Sequence, residues 1–175
     1  MRVRGLVVVV VALAAGSVVV ASVSSIDAPA DVDRVAYRLA PPFRPEQTGA
    51  ERAASEVVGL VNDERTRRGL PILVPHELVG AAAMAHAADM AARRTMVHLG
   101  ADGSDTGDRL DRAGFAWRDW GEAIGAGFVT PESLFDAWMA SAADRTHVLS
   151  EQIYIGVGVA ATPDGVPYWV LVVAT

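Results

Sequence analysis

Residues 153–174, IYIGVGVAATPDGVPYWVLVVA, decide the fold class of this chain. In the first half of this stretch, large apolar residues alternate with small ones, which is typical of a β-strand. Pro163-Asp164-Gly165 predicts a turn, and residues 168–174 predict a second apolar strand. We therefore expect the chain to end in an antiparallel hairpin.

Helical patterns precede this hairpin. Apolar residues within 51–68 recur on one helix face, and Gly69 is expected to end that helix. A second helix is predicted over 77–94, and a short one over 108–113 after a loop rich in Gly and Asp. A third long helix is predicted to begin at Thr130, an N-cap residue followed by Pro. Helices followed by a hairpin predict an α+β layered domain.

The first 25 residues have a different character from the rest of the chain. Two arginines precede an uncharged run over 5–26 that consists mostly of Val, Ala and Leu. This pattern predicts a signal peptide, or an uncleaved signal-anchor because the run is long. We expect export in either case, to the extracellular space or to the outer face of the cytoplasmic membrane. Four prolines indicate a linker over 26–50, which leaves 51–175 as the folded domain.

Composition excludes several classes of function. The 175 residues include no cysteine, so a disulfide scaffold, thiol catalysis and zinc-finger sites are ruled out. The formal net charge of −6 argues against a nucleic-acid partner, which would require a clustered basic surface. Membrane contact is expected only through the N-terminal segment, if that segment is uncleaved.

Short motifs occur in a characteristic order along the predicted domain. They begin with Val61-Asn62-Asp63-Glu64-Arg65 and Gly69-Leu70-Pro71, and continue with Ala85-His86-Ala87-Ala88-Asp89-Met90-Ala91, His98, Asp102-Gly103-Ser104, Asp108-Arg109-Leu110, Ala113-Gly114-Phe115, Gly121-Glu122-Ala123-Ile124, Ala137-Trp138-Met139, Ile155-Gly156-Val157-Gly158 and Tyr168-Trp169. This ordered set resembles the CAP superfamily, also called SCP domains, which includes antigen-5 and pathogenesis-related-1 proteins. Its cysteine-free bacterial branch is the closest match. The resemblance implies an α–β–α sandwich with a small antiparallel sheet between helical layers.

The resemblance also implies a groove site. In that family, two histidines and two acids line a groove over the sheet and hold a divalent metal in some members. His98 matches the first histidine, and Glu122 matches the acid of the family's Gly-Glu-Asn-Ile segment. Two positions depart from the pattern, because Ala123 replaces the asparagine and Asp144 stands where the second histidine is expected. The remaining acid falls near Ser141.

The candidates for binding in this groove are His98, Glu122, Asp144 and Trp120. Each also has a structural interpretation. Glu122 lies in an apolar stretch, so it needs a hydrogen-bonding partner if it is buried. Asp144 is followed by Arg145, which suggests a local ion pair, and Trp120 is suited to core packing.

A metal site would require three of these residues to converge. His98, Glu122 and Asp144 together would make a one-histidine, two-carboxylate cluster, which favours Mg, Ca or Mn over Zn. His147 could supply a second imidazole. His86 shares a helix stripe with apolar residues, so we interpret it as a core histidine rather than a ligand.

Three functions follow from these observations. We favour an exported binding or interaction module at the cell envelope or outside the cell, with an unidentified ligand such as a lipid or a glycan. The altered groove supports this choice over an enzyme, because a catalytic site tolerates such losses less well than a binding groove does. The first alternative is an extracellular hydrolase that uses His98 and Glu122 as acid and base, with or without a metal. The second is a lipid carrier. The chain contains no Gly-x-Ser-x-Gly, Ser-x-x-Lys or His-Glu-x-x-His motif, and its sequence leaves ligand and oligomeric state open.

Overall fold

The structure, a computed structural model, describes residues 48–175. This part of the chain folds into five helices and four strands. The predicted export segment 1–25 and almost all of the predicted linker 26–50 lie outside these residues. The elements in chain order are α1 (Gly49–Arg67), β1 (Val74–Pro75), α2 (Glu77–Arg93), α3 (Thr106–Ala113), β2 (Trp120–Ala126), α4 (Pro131–Ala140), α5 (Ala142–Val148), β3 (Tyr154–Ala161) and β4 (Pro167–Ala174). Within 48–175, no helix combines the length and apolar character needed to cross a membrane.

Capping residues fix where the helices begin. Thr48 and Glu51 form a capping box, so α1 starts inside the predicted linker. A second capping box, between Asp105 and Asp108, starts α3 two residues earlier than the sequence pattern indicates. Ser141 both ends α4 and caps α5, a seven-residue helix that the sequence analysis missed.

The sheet has the strand order β1-β3-β4-β2. The predicted hairpin is confirmed, since β3 and β4 pair antiparallel from Tyr154↔Ala174 to Ala161↔Pro167. β2 adds a third antiparallel strand beside β4 and forms one edge of the sheet. The two-residue strand β1 pairs parallel with β3 at the other edge. The sheet is thus antiparallel apart from this two-residue pair.

Both faces of the sheet are covered by helices, because the residues of β4 alternate between two hydrophobic cores. On one face, helices α1, α4 and α5 pack against Trp169, Leu171 and Val173. On the other face, α2 and α3 pack against Tyr168, Val170, Val172 and Ala174. This arrangement confirms the α–β–α sandwich.

Helix α2 lies directly on the backbone of β3. A Cβ atom at Gly156 would lie 2.2 Å from the backbone nitrogen of Gly80, and one at Gly158 would lie 2.4 Å from that of Met84. Only glycine permits so close an approach of helix to strand. This contact sets the height of α2 above the sheet, and α2 carries His86.

Two polar side chains of α1 bind the connection that follows it. The Asn62 side chain donates to the carbonyl of Leu73 and accepts from its N–H, at 3.0 and 2.8 Å. The buried guanidinium of Arg65 donates to the carbonyls of Pro71, Val148 and Ser150. These bonds explain why Asn and Arg occur in the Val61–Arg65 motif, since their side chains satisfy backbone groups that no strand partner reaches.

Candidate functional site

A buried carboxylate lies at the centre of the candidate site. Glu122 is only 3 % exposed and occupies β2, on the sheet face covered by α2 and α3. Its Oε2 accepts hydrogen bonds from Arg109 Nη2 at 2.6 Å and Thr106 Oγ1 at 2.9 Å. Its Oε1 accepts from His98 Nδ1 at 2.8 Å. Side chains therefore satisfy both oxygens and supply the hydrogen-bonding partners that a buried Glu122 needs.

Arg109 neutralises this carboxylate from α3. Its guanidinium also donates to Thr106 Oγ1 and to the carbonyls of Ser104 and His98. The side chain is 5 % exposed, so the ion pair with Glu122 is almost entirely withdrawn from water. Burying two charges is tolerated only when each is paired and hydrogen-bonded, as here. Sequence reasoning identified the need for a partner to Glu122 but did not identify Arg109 or Thr106.

His98 projects from this network toward solvent. A carboxylate can only accept, so His98 Nδ1 is the donor in its bond to Glu122. In the neutral imidazole, Nε2 then carries a lone pair and can accept a hydrogen bond. The side chain is 62 % exposed, so Nε2 is available to a ligand. Glu122 thus orients an accessible imidazole.

A second histidine, His86 of α2, lies next to Glu122 in the protein interior. The expectation that His86 is a core residue is confirmed, because it is fully buried. Its Nε2 is 2.9 Å from the carbonyl oxygen of Val97 and 3.9 Å from Glu122 Oε1. Burial lowers the pKa of His86, so it is neutral at pH 7.

A third histidine approaches from the other face of the sheet. His147 in α5 packs on Gly121, where an added Cβ would lie 2.3 Å from Nδ1 of the ring. Burial lowers the pKa of His147, and the charge of His98 lowers it further, while Asp144 and Glu122 act in the opposite direction. His147 is therefore close enough to the His98–Glu122 pair for their charges to interact. The suggestion that His147 supplies a second imidazole stays a prediction.

The other sequence candidates take different positions. Asp144 lies in the first turn of α5, where its backbone N–H donates to Ser141 Oγ. The suggested ion pair with Arg145 is wrong for this structure, because Arg145 instead donates to the carbonyl of Met139.

Trp120 is partly buried against the core beneath α2 and α3. Together with Trp117 it covers Gly107, where an added Cβ would lie 2.9 Å from Trp120 Nε1 and 2.7 Å from Trp117 Cζ2. This position favours the core-packing interpretation of Trp120 over a role in lining the groove.

The residues do not fit a metal centre. Within 48–175, no three His, Asp or Glu side chains are placed to hold one ion. His98, Glu122 and Asp144 are thus not gathered as the ligand set that the sequence analysis considered. Arg109 already supplies a positive charge beside Glu122 Oε2.

Comparison with known proteins agrees with this architecture. Residues 58–173 match the family described as CAP, the cysteine-rich secretory protein family. The chain belongs to the CAP family. Its CAP domain contains no cysteine, so the fold depends on its two packed cores and polar networks rather than on disulfides.

Two of the similar proteins come from Bacillus. The chain is 33 % identical over 104 residues to the uncharacterized protein YkwD of Bacillus subtilis (strain 168), a match that spans 59 % of this chain and 40 % of YkwD. A crystal structure of an extracellular SCP-domain protein from Bacillus anthracis (strain Ames) superposes with a TM-score of 0.62 at 25 % identity. That match covers 75 % of this chain and 44 % of the other.

An outer surface protein of Borrelia burgdorferi shares the fold. It superposes with a TM-score of 0.67 at 16 % identity, covering 71 % of this chain and 93 % of that chain. The Borrelia protein matches over nearly its whole length, whereas this chain spans less than half the length of each of the two Bacillus proteins.

Two imidazoles, that of the buried His86 and that of the partly buried His147, predict a pH-dependent stability. His86 and His147 have lowered pKa values in the folded CAP domain, so the unfolded chain binds protons first as the pH falls below about 6.5. The free energy of unfolding should be at its full value above that pH. Below it, each histidine should lower this free energy by at most about 1.4 kcal/mol per pH unit. Urea unfolding at pH 7.5, 6.5 and 5.5 measures this slope. These pH values lie above the range where most carboxylates titrate.

The variant His147→Gln provides the control, because it removes one of the two groups at a partly exposed position. The loss of stability between pH 7.5 and 5.5 should become smaller in this variant. A free energy of unfolding that stays constant or increases as the pH falls would contradict the prediction.

Proposed function

We propose that this CAP domain is an exported, non-catalytic binding module that takes an envelope ligand in the groove beside His98. The proposal rests on the hydrogen bonding of Glu122, whose two carboxylate oxygens accept from Arg109, Thr106 and His98. Both oxygens of this carboxylate are engaged by donors of the protein itself, which gives it a positioning role rather than a reacting one. It is well suited to holding the His98 imidazole in a fixed orientation.

The surface around His98 supports a ligand with both polar and apolar groups. Met96, Val97 and Leu99 are large apolar side chains exposed beside the imidazole. A ligand could therefore hydrogen-bond to His98 Nε2 and cover these side chains, as amphipathic lipids or sugars with acetyl groups can. The names of the Borrelia and Bacillus anthracis proteins, outer surface and extracellular, support export of this chain.

The catalytic alternative rests on one specific contact. The bond of 2.8 Å between Glu122 Oε1 and His98 Nδ1 resembles the carboxylate–imidazole pair that orients a general base. His98 Nε2 would be the base in a hydrolase of this kind. Catalysis would still require a nucleophile or an activated water, which the described residues do not identify.

Binding to isolated peptidoglycan sacculi tests the proposal with the purified full-length chain. We expect wild-type protein to sediment with sacculi, and His98→Gln to weaken binding about tenfold, roughly the loss of one hydrogen bond. Asp136→Asn is the control, because Asp136 is exposed on α4 and takes no part in the groove network. Binding of His98→Gln as strong as that of wild type would contradict a role for this groove.

Two further measurements separate the alternatives. Release of soluble fragments from sacculi, abolished in His98→Gln, would establish the hydrolase instead of the binding module. Binding to phospholipid vesicles, or lipid co-purified with the chain and detected by mass spectrometry, would favour the lipid carrier. We expect neither release nor stoichiometric lipid.

A further inference from the structure

An open pocket of about 540 Å³ lies where the C-terminal end of α1 meets α4 and α5. Its volume is within the range of small-molecule sites in proteins. Helices α1, α4 and α5 cover one face of the sheet, whereas Glu122 lies on the face covered by α2 and α3. This pocket is therefore separate from the groove at His98.

The wall of the pocket carries more positive than negative charge. Three arginines line it, Arg67 and Arg68 from the end of α1 and Arg145 from α5, against the two acids Glu64 and Asp136. The chain as a whole has a formal net charge of −6. A concave surface with a positive surplus on an acidic protein favours an anion at this place.

Glu64 is shared by two of the arginines. Its Oε2 contacts Arg67 Nη2, and its Oε1 accepts from Arg68 Nε at 2.6 Å. One carboxylate thus compensates only one of two positive charges. The other surface arginines with ion pairs each have an aspartate of their own; they are Arg93, Arg94 and Arg112.

Arg145 has a neutral partner. Its Nη1 donates to the carbonyl oxygen of Met139 at 2.7 Å, which leaves the charge of the guanidinium uncompensated by that contact. A guanidinium has five N–H donors, so the three arginines retain donors beyond those that bind Glu64 and Met139. These donors can be reached from solvent, because Arg67 and Arg68 are 67 % and 49 % exposed and Arg145 is partly exposed.

We propose that the pocket between α1, α4 and α5 binds the phosphate group of an organic phosphate. The Glu64 carboxylate has two oxygens and reaches two arginines, whereas a phosphate monoester has three terminal oxygens and a larger negative charge. Phe135 and Met139 also line the pocket, so the organic part of the ligand has an apolar wall to contact. The phosphate is carried either by a soluble molecule or by a lipid headgroup.

Phenyl phosphate is a suitable probe, with benzoate as a carboxylate analogue that has the same ring. We expect saturable binding of phenyl phosphate to the full-length chain by NMR titration, with shifts of the backbone amides of residues 64–68 and 135–145. Benzoate should bind at least about threefold more weakly, because it has fewer oxygens and less charge. Equal or stronger binding of benzoate would overturn the choice of phosphate.

A short-chain, water-soluble phosphatidylglycerol distinguishes the two sources of the phosphate group. Tighter binding of this lipid than of phenyl phosphate would support a lipid headgroup, and the reverse order would support a soluble organic phosphate. In both cases 0.5 M NaCl should weaken binding, because exposed charges are screened by salt. If neither compound binds saturably, the proposal is wrong.

A matched pair of arginine variants tests the location. Arg67→Gln should weaken phenyl phosphate binding about fivefold, the upper range for an exposed ionic contact, while Glu64 keeps its bond to Arg68. Arg118 is exposed outside the pocket, so Arg118→Gln changes the net charge equally and should bind as wild type does. An equal loss of affinity in both variants would show that binding follows net charge alone, and would overturn the proposal.

Discussion

Replacing Glu122 with alanine should lower the free energy of unfolding by about 3–5 kcal/mol, the range observed when one partner of a buried ion pair is removed. The substitution leaves the Arg109 guanidinium buried without its counter-charge and removes the acceptor of Thr106. It also frees the His98 ring from its bond at Nδ1. Urea denaturation of the full-length chain measures the first effect, and the NMR signals of His98 measure the second.

Glu64→Ala is a matched control for this experiment. Glu64 is also a buried glutamate paired with arginine, but its partners Arg67 and Arg68 are 67 % and 49 % exposed. Its removal leaves no buried arginine without a counter-charge, so we expect the free energy of unfolding to fall by at most about 1 kcal/mol. In the double variant Glu122→Ala/Arg109→Ala, the loss should be smaller than the sum of the two single losses. Equal losses of unfolding free energy in Glu122→Ala and Glu64→Ala would contradict the prediction that the buried ion pair contributes more to stability than the exposed one.

The parts of the fold that follow local rules were predictable from sequence. The hairpin was identified because its first strand alternates, its second strand is continuously apolar, and a Pro-Asp-Gly turn joins them. The long helices were identified by their apolar stripes and caps. β2 was missed because Glu122 interrupts the apolar pattern, and Gly121 and Gly125 weaken strand propensity. Those glycines are required by neighbours distant in sequence, since a Cβ at Gly125 would lie 2.4 Å from Leu134 Cδ1.

The site was only partly predictable for the same reason. Family resemblance identified His98 and Glu122, and their contact at 2.8 Å shows that both belong to one network. No motif in a single sequence marks Arg109 and Thr106 as site residues, because their role depends on how α3 packs against β2. His147 lies three residues from the expected histidine position and reaches the site only because α5 is helical, which brings positions three apart to one face.

Gly156→Ala should destabilise the chain by about 3 kcal/mol, at the upper end of the range for overpacking. The new methyl group would lie 2.3 Å from the carbonyl carbon of Val79 and 2.2 Å from the backbone nitrogen of Gly80. These atoms belong to the backbone of α2, so no side-chain rotation relieves the overlap. The helix must move away from β3, which also moves His86 away from Glu122.

The reciprocal substitution at the same contact shows whether the close approach is the cause. Gly80 is helical, and a Cβ there meets no other atom within 4 Å. Gly80→Ala should therefore stabilise the chain by about 0.5–1 kcal/mol, through the better helix propensity of alanine. Urea denaturation of the two variants should give changes of opposite sign. If Gly156→Ala is no less stable than Gly80→Ala, then α2 can shift without cost, and the rigid support that we assign to His86 and the Glu122 network does not exist.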